Sequence, residues 1–319
     1  MPEQLAQAHA VIHDLGLEVA GEMRPRVNAE HSSSILVPCN GVDGRPFLLK
    51  FFVPPPEGRY YPAGVRIDDY ARRETAFYRY LDSLDPERRM VPAPRTILLD
   101  NYDPPRWILV ERILGAVGPT EEVLSMDHVF ELLNAIQDIP VAQLLGRRDF
   151  PLNRWDPVSY LDRVRLMYDP VLFVIGEERW GRALEFFQEA LRWNDTRPQT
   201  VVHGDFTDHN ILVDAEGQPL LMDFERLGIG NQDHDLGWFW IHSQRSQEWK
   251  TGLLARYWAR MVGSARIRSE WGIRSTLVYL ALRRLRFSYL TRGEKDPNKT
   301  RNLALLDAAL AGGGELFPL

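Results

Sequence analysis

The sequence predicts an α+β protein of two lobes, a small antiparallel sheet near the N-terminus followed by a largely helical region, and three stretches carry that reading. Ile35-Leu36-Val37 and Phe47 to Phe52 are apolar, β-leaning runs separated by Asn40-Gly41-Val42-Asp43-Gly44, which holds both an N-G and a D-G turn signal and so reads as a hairpin. From Met126 onward the pattern changes to apolar residues at i, i+3 and i+4. Between those helices, Val201 to Glu225 reads as two short buried strands, Val201-Val202 and Leu220 to Met222, flanking a polar loop and a third strand, Ile211 to Val213, that ends in the turn Asp214 to Gly217.

In chain order, Leu5, Ala8, Ile12 and Leu15 predict a first amphipathic helix over Glu3 to Leu17, closed by Gly16. The hairpin follows, and its second strand carries Lys50 among large apolar residues, where an unpaired ammonium is costly to bury. Lys50 therefore needs a partner, unless it lies on an outward edge. Pro54 to Gly58 with Tyr60-Tyr61 forms an insertion before the helical run Tyr70 to Tyr78. Trp107 to Gly115 is a buried strand ending in a glycine. Helices are predicted over Met126 to Ile139, Pro157 to Met167, Glu177 to Trp193, Gln247 to Val262, Ile273 to Leu290 and Lys299 to Leu310. Seven of the tryptophans, Trp238 among them, read as helical core, and Arg283, Arg284 and Arg286 as a solvated helix face.

Composition excludes several classes. The 319 residues, 45% hydrophobic and 26% charged, are those of an ordinary globular protein long enough for two lobes. A formal charge of −6 argues against nucleic acid as the main partner, because backbone phosphates need a concentrated basic face. The one cysteine, Cys39, excludes an intramolecular disulfide and reads as a core strand residue. The N-terminal stretch lacks the form of a signal peptide and no apolar run is long enough to span a membrane, so a reducing, ATP-containing cytoplasm is the expected setting and no membrane partner is expected.

The chemistry concentrates in the Val201 to Glu225 stretch. Asp205 and Asn210 lie five residues apart on a loop, and Asp223 follows thirteen residues later after an apolar run. Two carboxylates and an amide are hard oxygen ligands suited to Mg2+ with phosphates, with one carboxylate left to take a proton. His203-Gly204-Asp205 with Asn210, then Asp223-Phe224-Glu225, resembles the aminoglycoside phosphotransferase and choline kinase family, in the protein-kinase-like superfamily.

That resemblance implies a two-lobed protein-kinase-like fold and transfer of the γ-phosphoryl group of ATP, or of GTP, to a hydroxyl of a small molecule. It makes Asp205 the catalytic base and Asn210 and Asp223 the Mg2+ ligands. It makes Lys50 the residue on the α- and β-phosphates, paired with Glu74, and gives Glu111 and Ile113 the adenine edge through their backbone. The lobe boundary then falls near Gly115, with residues 1–115 binding nucleotide and residues 116–319 carrying the base and the acceptor pocket. A glycine-rich phosphate loop is missing, and the turn in its place offers Ser33 and Ser34 instead. His203 is expected to be structural and Asp235 to cap the helix after the metal loop. The alternatives are a pseudokinase-type nucleotide-binding module, against which the intact Lys50, Asp205, Asn210 and Asp223 stand, and a protein kinase, against which stands the short segment after Asp223. Asp208, Glu225 and Asp233 add carboxylates around this loop, and from them a cationic acceptor is expected.

Overall fold

The structure, a computed structural model, describes residues 2–25, 34–53, 68–147, 150–166, 168–194, 199–293 and 296–312. Ser33 and the insertion at 54–67 lie outside the described residues.

Helix α1 (Pro2–Asp14) leads into β1 (Glu18–Val19) and β2 (Arg24–Pro25), which both pair with β3 (Ser34–Asn40). β3 and β4 (Pro46–Phe52) form the expected antiparallel hairpin, with Lys50 opposite Leu36. Helix α2 (Asp68–Leu84), then β5 (Thr96–Leu99) and β6 (Trp107–Glu111), complete a sheet ordered β1-β3-β4-β6-β5. Strand alternation decides which way Lys50 faces. Phe47, Leu49 and Phe51 join Ile35, Val37, Cys39 and the α1 residues Ala8 and Ile12 in one apolar cluster. Phe52, Ile108 and Val110 belong to the opposite cluster, with Phe77 and Leu81 of α2, and Lys50 shares their face. Cys39 is buried as expected, and burial pushes its thiol up to about 11.

The chain leaves this sheet at β7 (Gly115–Val117), which pairs with a strand of the second lobe. That lobe comprises α3 (Met126–Gln137), α4 (Val141–Leu145), β8 (Asn153–Trp155), α5 (Pro157–Leu166), α6 (Tyr168–Asn194), β9 (Thr200–Val202), β10 (Ile211–Asp214), β11 (Pro219–Leu221), β12 (Gly228–Gly230), α7 (His234–His242), α8 (Gln247–Trp258), α9 (Ser264–Arg292) and α10 (Lys299–Ala311). Two small sheets, β11-β10-β7 and β8-β12-β9, pin both ends of the Val201 to Glu225 stretch. Helix α9 runs through the core on Ile273, Leu277, Leu280 and Leu285. The six helices predicted from Met126 onward arise, although α6 begins nine residues before Glu177 and turns through Gly176 at φ 81°, α9 begins nine residues before Ile273, and the short α4 lies outside the prediction.

Candidate active site

Three elements bring the predicted residues together. Lys50 on β4 is buried, and its Nζ stands 2.5 Å from Glu74 Oε2 on α2, 2.6 Å from Asp223 Oδ1 and 3.8 Å from Glu225 Oε2. Burial alone would depress this ammonium, but Asp223, Glu74 and Glu225 together raise it above its usual value. Burial likewise pushes Glu74 up to about 7, against the pull of Lys50 and with the repulsion of the other two carboxylates. One cation thus holds two buried acids, Glu74 and Glu225, and the half-buried Asp223. Removing it leaves them uncompensated, a type of loss worth about 3–5 kcal/mol. Lys50→Met is therefore expected to lower unfolding free energy by about that much at pH 8. Acids whose folded pKa is raised cost stability as pH rises, so the deficit should shrink toward pH 6, which denaturant melts at the two pH values would check.

Asp223 follows β11 in a left-handed backbone conformation, φ 69° and ψ 63°, uncommon for a residue with a side chain. The next residue explains how it is held: the Phe224 ring packs 4.6 Å from Phe77 and 5.7 Å from Tyr78 of α2. Arg73 adds a second clamp, donating to the carbonyl of Pro151 at 2.6 Å and to that of Glu225. Side-chain oxygens of Glu74, Asp223 and Glu225 all lie within 4.8 Å of one another.

On the facing loop Asp205 Oδ1 accepts the indole N–H of Trp238 at 2.9 Å, and Arg226 Nη1 lies 3.9 Å away. The Asn210 side-chain amide donates to the Asp205 backbone carbonyl at 2.8 Å, and the Asn210 backbone carbonyl accepts the Met222 amide at 3.0 Å, which ties the Asp205 loop to the residue before Asp223. His203 is buried, with Nε2 2.9 Å from the Met222 carbonyl, and burial lowers its pKa. It lies under the loop, as expected.

Asp235 differs from expectation. It sits inside α7 rather than capping it, and its carboxylate accepts the amides of His203 at 2.7 Å and Gly204 at 2.9 Å. Gly204 has φ 77°, and a Cβ there would stand 2.3 Å from the Arg226 carbonyl. Gly204→Ala should thus cost about 1–3 kcal/mol of stability, readable as a lower denaturation midpoint. A midpoint within error of wild type would show that the loop can relax around a side chain.

The remaining predicted residues are placed as follows. Ser34 opens β3, buried and paired with Phe52. Glu111 ends β6, its amide donating to Arg95 and its carboxylate accepting from the Arg95 amide, while Ile113 lies in the link before β7. Of the three carboxylates expected around the loop, Glu225 lies at Lys50 and the other two are engaged elsewhere. Asp208 is buried, 3.7 Å from Arg245 Nε and accepting from Gln244; Asp233 is buried beneath Tyr257 and Ser269. Sequence reasoning missed three residues of the site: Glu225 as a third acid at Lys50, Arg73 as a tie between lobes, and Trp238 as a donor to Asp205. Glu225 stood in the quoted motif, and Arg73 beside Glu74, but nothing in the sequence singled out one indole among nine.

A profile of the phosphotransferase enzyme family matches residues 40–268, well over half the chain. The protein belongs to that family. It is a small-molecule kinase of the protein-kinase-like superfamily, with hydroxyl groups as acceptors. No curated protein is significantly similar to it in sequence. Solved structures share its fold at low identity. Aminoglycoside phosphotransferase APH(4)-Ia aligns with TM-score 0.59 and 15% identity, over 98% of this chain and 100% of its own. Macrolide 2'-phosphotransferase type I aligns at 0.56 and 17%, with 97% of each chain covered. LicA in complex with AMP aligns at 0.60 and 12%, over 96% of this chain and 97% of its own. A thermostable APH(4)-Ia variant has been solved with ADP and hygromycin B. Among the described residues no helix is long and apolar enough to cross a membrane.

Proposed function

We propose that the protein transfers the γ-phosphoryl group of ATP, with GTP as the alternative donor, to a small-molecule hydroxyl, with Asp205 as base. The observation that carries this is the buried contact of Lys50 with Glu74 and Asp223, because a strand lysine, a helix glutamate and the loop aspartate are what a nucleotide triphosphate and its metal need aligned. Adenine contact by the backbone of Glu111 and Ile113, phosphate contact by Ser33 and Ser34, and a lobe boundary near Gly115 belong to the same reading, as does a cytoplasmic site of action.

The donor set fits Mg2+: Glu225 offers buried and Asp223 half-buried hard oxygens, with Glu74 beside them, and Asn210 has its amide nitrogen tied to Asp205, so its side-chain oxygen Oδ1 is the atom it can offer. Such an ion would be held by Asp223, Glu225 and Asn210 and would offset the charge of the phosphates. Lys50 then exchanges its carboxylate partners in part for phosphate. In the transfer the acceptor oxygen forms its bond to the γ-phosphorus, the bond to the bridging oxygen breaks with its electron pair leaving on ADP, and the hydroxyl proton passes to Asp205. Trp238 holds Oδ1 of the Asp205 carboxylate by its indole N–H at 2.9 Å, and Asn210 donates more weakly to Oδ2 at 3.3 Å, so Oδ2 is the oxygen we assign to take the proton.

The test is ATP consumption over a panel of hydroxyl-bearing metabolites and antibiotics, with and without Mg2+, alongside the melting temperature with Mg2+-ATP. Metal-dependent stabilisation by ATP and turnover of at least one hydroxyl compound are expected. Melting that ignores Mg2+-ATP, with no ATP consumed, would refute the reading. The hygromycin B complex of APH(4)-Ia is a precedent for a cationic acceptor.

A further inference from the structure

Helix α7 grips the Asp205 loop at two levels. Asp235 accepts the backbone amides of His203 and Gly204 at 2.7 and 2.9 Å. Trp238, three residues later and so on the same face of the helix, donates its indole N–H to Asp205 Oδ1 at 2.9 Å. One side chain of α7 thus holds the backbone of the loop and another holds the carboxylate at its end. The holder and the held group differ in access: Trp238 is buried at 1% exposure, whereas the Asp205 side chain keeps 24% of its surface exposed.

The indole is itself held on several sides. His242 stacks on it with ring centroids 5.1 Å apart, His234 tilts against it at 5.4 Å, and Trp155 packs edge-on at 6.0 Å. Its N–H therefore points in one direction. A carboxylate turns readily about its last bond, where the torsion is broad and nearly two-fold, so without a fixed donor the two oxygens of Asp205 would exchange places. Asn210, 3.3 Å from Oδ2, is too long a contact to choose between them alone. An indole N–H donates and has no lone pair to accept with, so it can hold a carboxylate without competing for the proton that carboxylate is to take.

We propose that Trp238 is a positioning residue for phosphoryl transfer, and that its indole N–H, not its bulk, keeps Asp205 Oδ2 aimed at the acceptor hydroxyl. This rests on the phosphotransferase reading above. The proton of the hydroxyl passes to Oδ2 while Oδ1 stays on the indole, so the carboxylate need not turn as the bond to phosphorus forms. The effect of Trp238 runs entirely through Asp205. It acts on turnover and leaves nucleotide and acceptor binding to other residues.

The test compares two substitutions in the full-length protein with Mg2+-ATP and the acceptor found by the panel. Trp238→Phe keeps much of the bulk and removes the donor. Trp238→His loses more bulk but can place an N–H where the indole nitrogen stood, since Nε2 of a histidine occupies the corresponding place in its five-membered ring. Trp238→Phe is expected to lower kcat about 10- to 100-fold, the weight of a hydrogen bond to a charged group, with both KM values within a few-fold. Trp238→His should recover part of that loss although it leaves the larger void. In an Asp205→Asn background, Trp238→Phe should change turnover by less than about 3-fold, because a residue that acts through another has nothing further to remove. Each variant is compared with wild type separately, so that misfolding of one leaves the other to decide, and the Mg2+-ATP melting shift shows which are folded and still bind nucleotide. Turnover that follows bulk, with phenylalanine above histidine, would overturn the proposal. So would an equal fall in both backgrounds, or a raised acceptor KM with kcat unchanged. If the wild type shows no Mg2+-ATP shift and consumes no ATP, the phosphotransferase reading itself falls; if both are present and Trp238→Phe keeps full turnover, only the positioning role does.

Discussion

Asp205→Asn is expected to lower turnover by roughly 10²- to 10⁴-fold, the usual cost of losing a positioned base, while leaving the Mg2+-ATP melting shift near that of wild type. The substitution is nearly isosteric. Its carbonyl oxygen can still accept the Trp238 indole N–H that Asp205 Oδ1 accepts at 2.9 Å, and although its new amide nitrogen loses the 3.3 Å bond from Asn210, the Asn210 amide keeps the stronger 2.8 Å bond to the backbone carbonyl of residue 205. What is lost is the negative charge 3.9 Å from Arg226 and the lone pair that takes the hydroxyl proton. The residues proposed to bind nucleotide are others, Lys50, Glu74 and Asp223, the two acids standing 2.5 and 2.6 Å from the Lys50 ammonium. The measurement is steady-state ATP consumption with the acceptor found by the panel, paired with thermal melts. Turnover within a few-fold of wild type would remove Asp205 from the role of base.

The sequence made the fold legible wherever a local signal and the tertiary structure agreed. The N-G and D-G turn set the β3-β4 hairpin, and the helical periodicity located α3, α5, α8 and α10 to within a few residues. It failed where a strand is defined by what lies against it. β12 is Gly228-Ile229-Gly230, with no β-leaning pattern, and its glycines serve close packing: a Cβ at Gly230 would stand 2.1 Å from the Trp155 carbonyl, and one at Gly228 2.5 Å from that of Asn153. β5 was passed over because Ile97 and Leu98 are exposed on an edge and give no alternation to read.

The site shows the same division. Asp205, Asn210 and Asp223 could be named from motif spacing, and Lys50 from its place in an apolar strand together with the family resemblance, and the structure brings Lys50 to Asp223 and Asn210 to Asp205. Charge balance could not be read that way. Asp208 and Asp233 look like surplus acids until Arg245, Tyr257 and Ser269, far along the chain, are seen to absorb them. Arg283 looks like part of a solvated face until α9 is placed across Trp238; Arg284 likewise turns inward, reaching His242 Nδ1 at 3.2 Å. The sign of a site's field depends on which charges fold into partners, and that is tertiary information.

Asp223→Asn is expected to abolish the Mg2+ dependence of ATP stabilisation and to cut turnover by about 10³-fold or more, since charge stabilisation by a correctly held metal is worth several kcal/mol. An amide can still ligate, but it brings no charge, and a hard divalent cation among phosphates responds to ligand charge. Asn210→Ala removes a neutral ligand and should cost less. The ligand-free fold should survive Asp223→Asn, because Lys50 keeps Glu74 at 2.5 Å and Glu225 at 3.8 Å, and the loss of one acid also eases the crowding that pushes Glu74 upward. Two melts therefore separate the roles. Without ligand the variant should unfold near the wild-type temperature; with Mg2+-ATP the wild type should rise and the variant should not. A variant that still gained stability from ATP in a Mg2+-dependent way would move the metal to Glu225 and Glu74, the two acids left within reach of the same oxygen cluster.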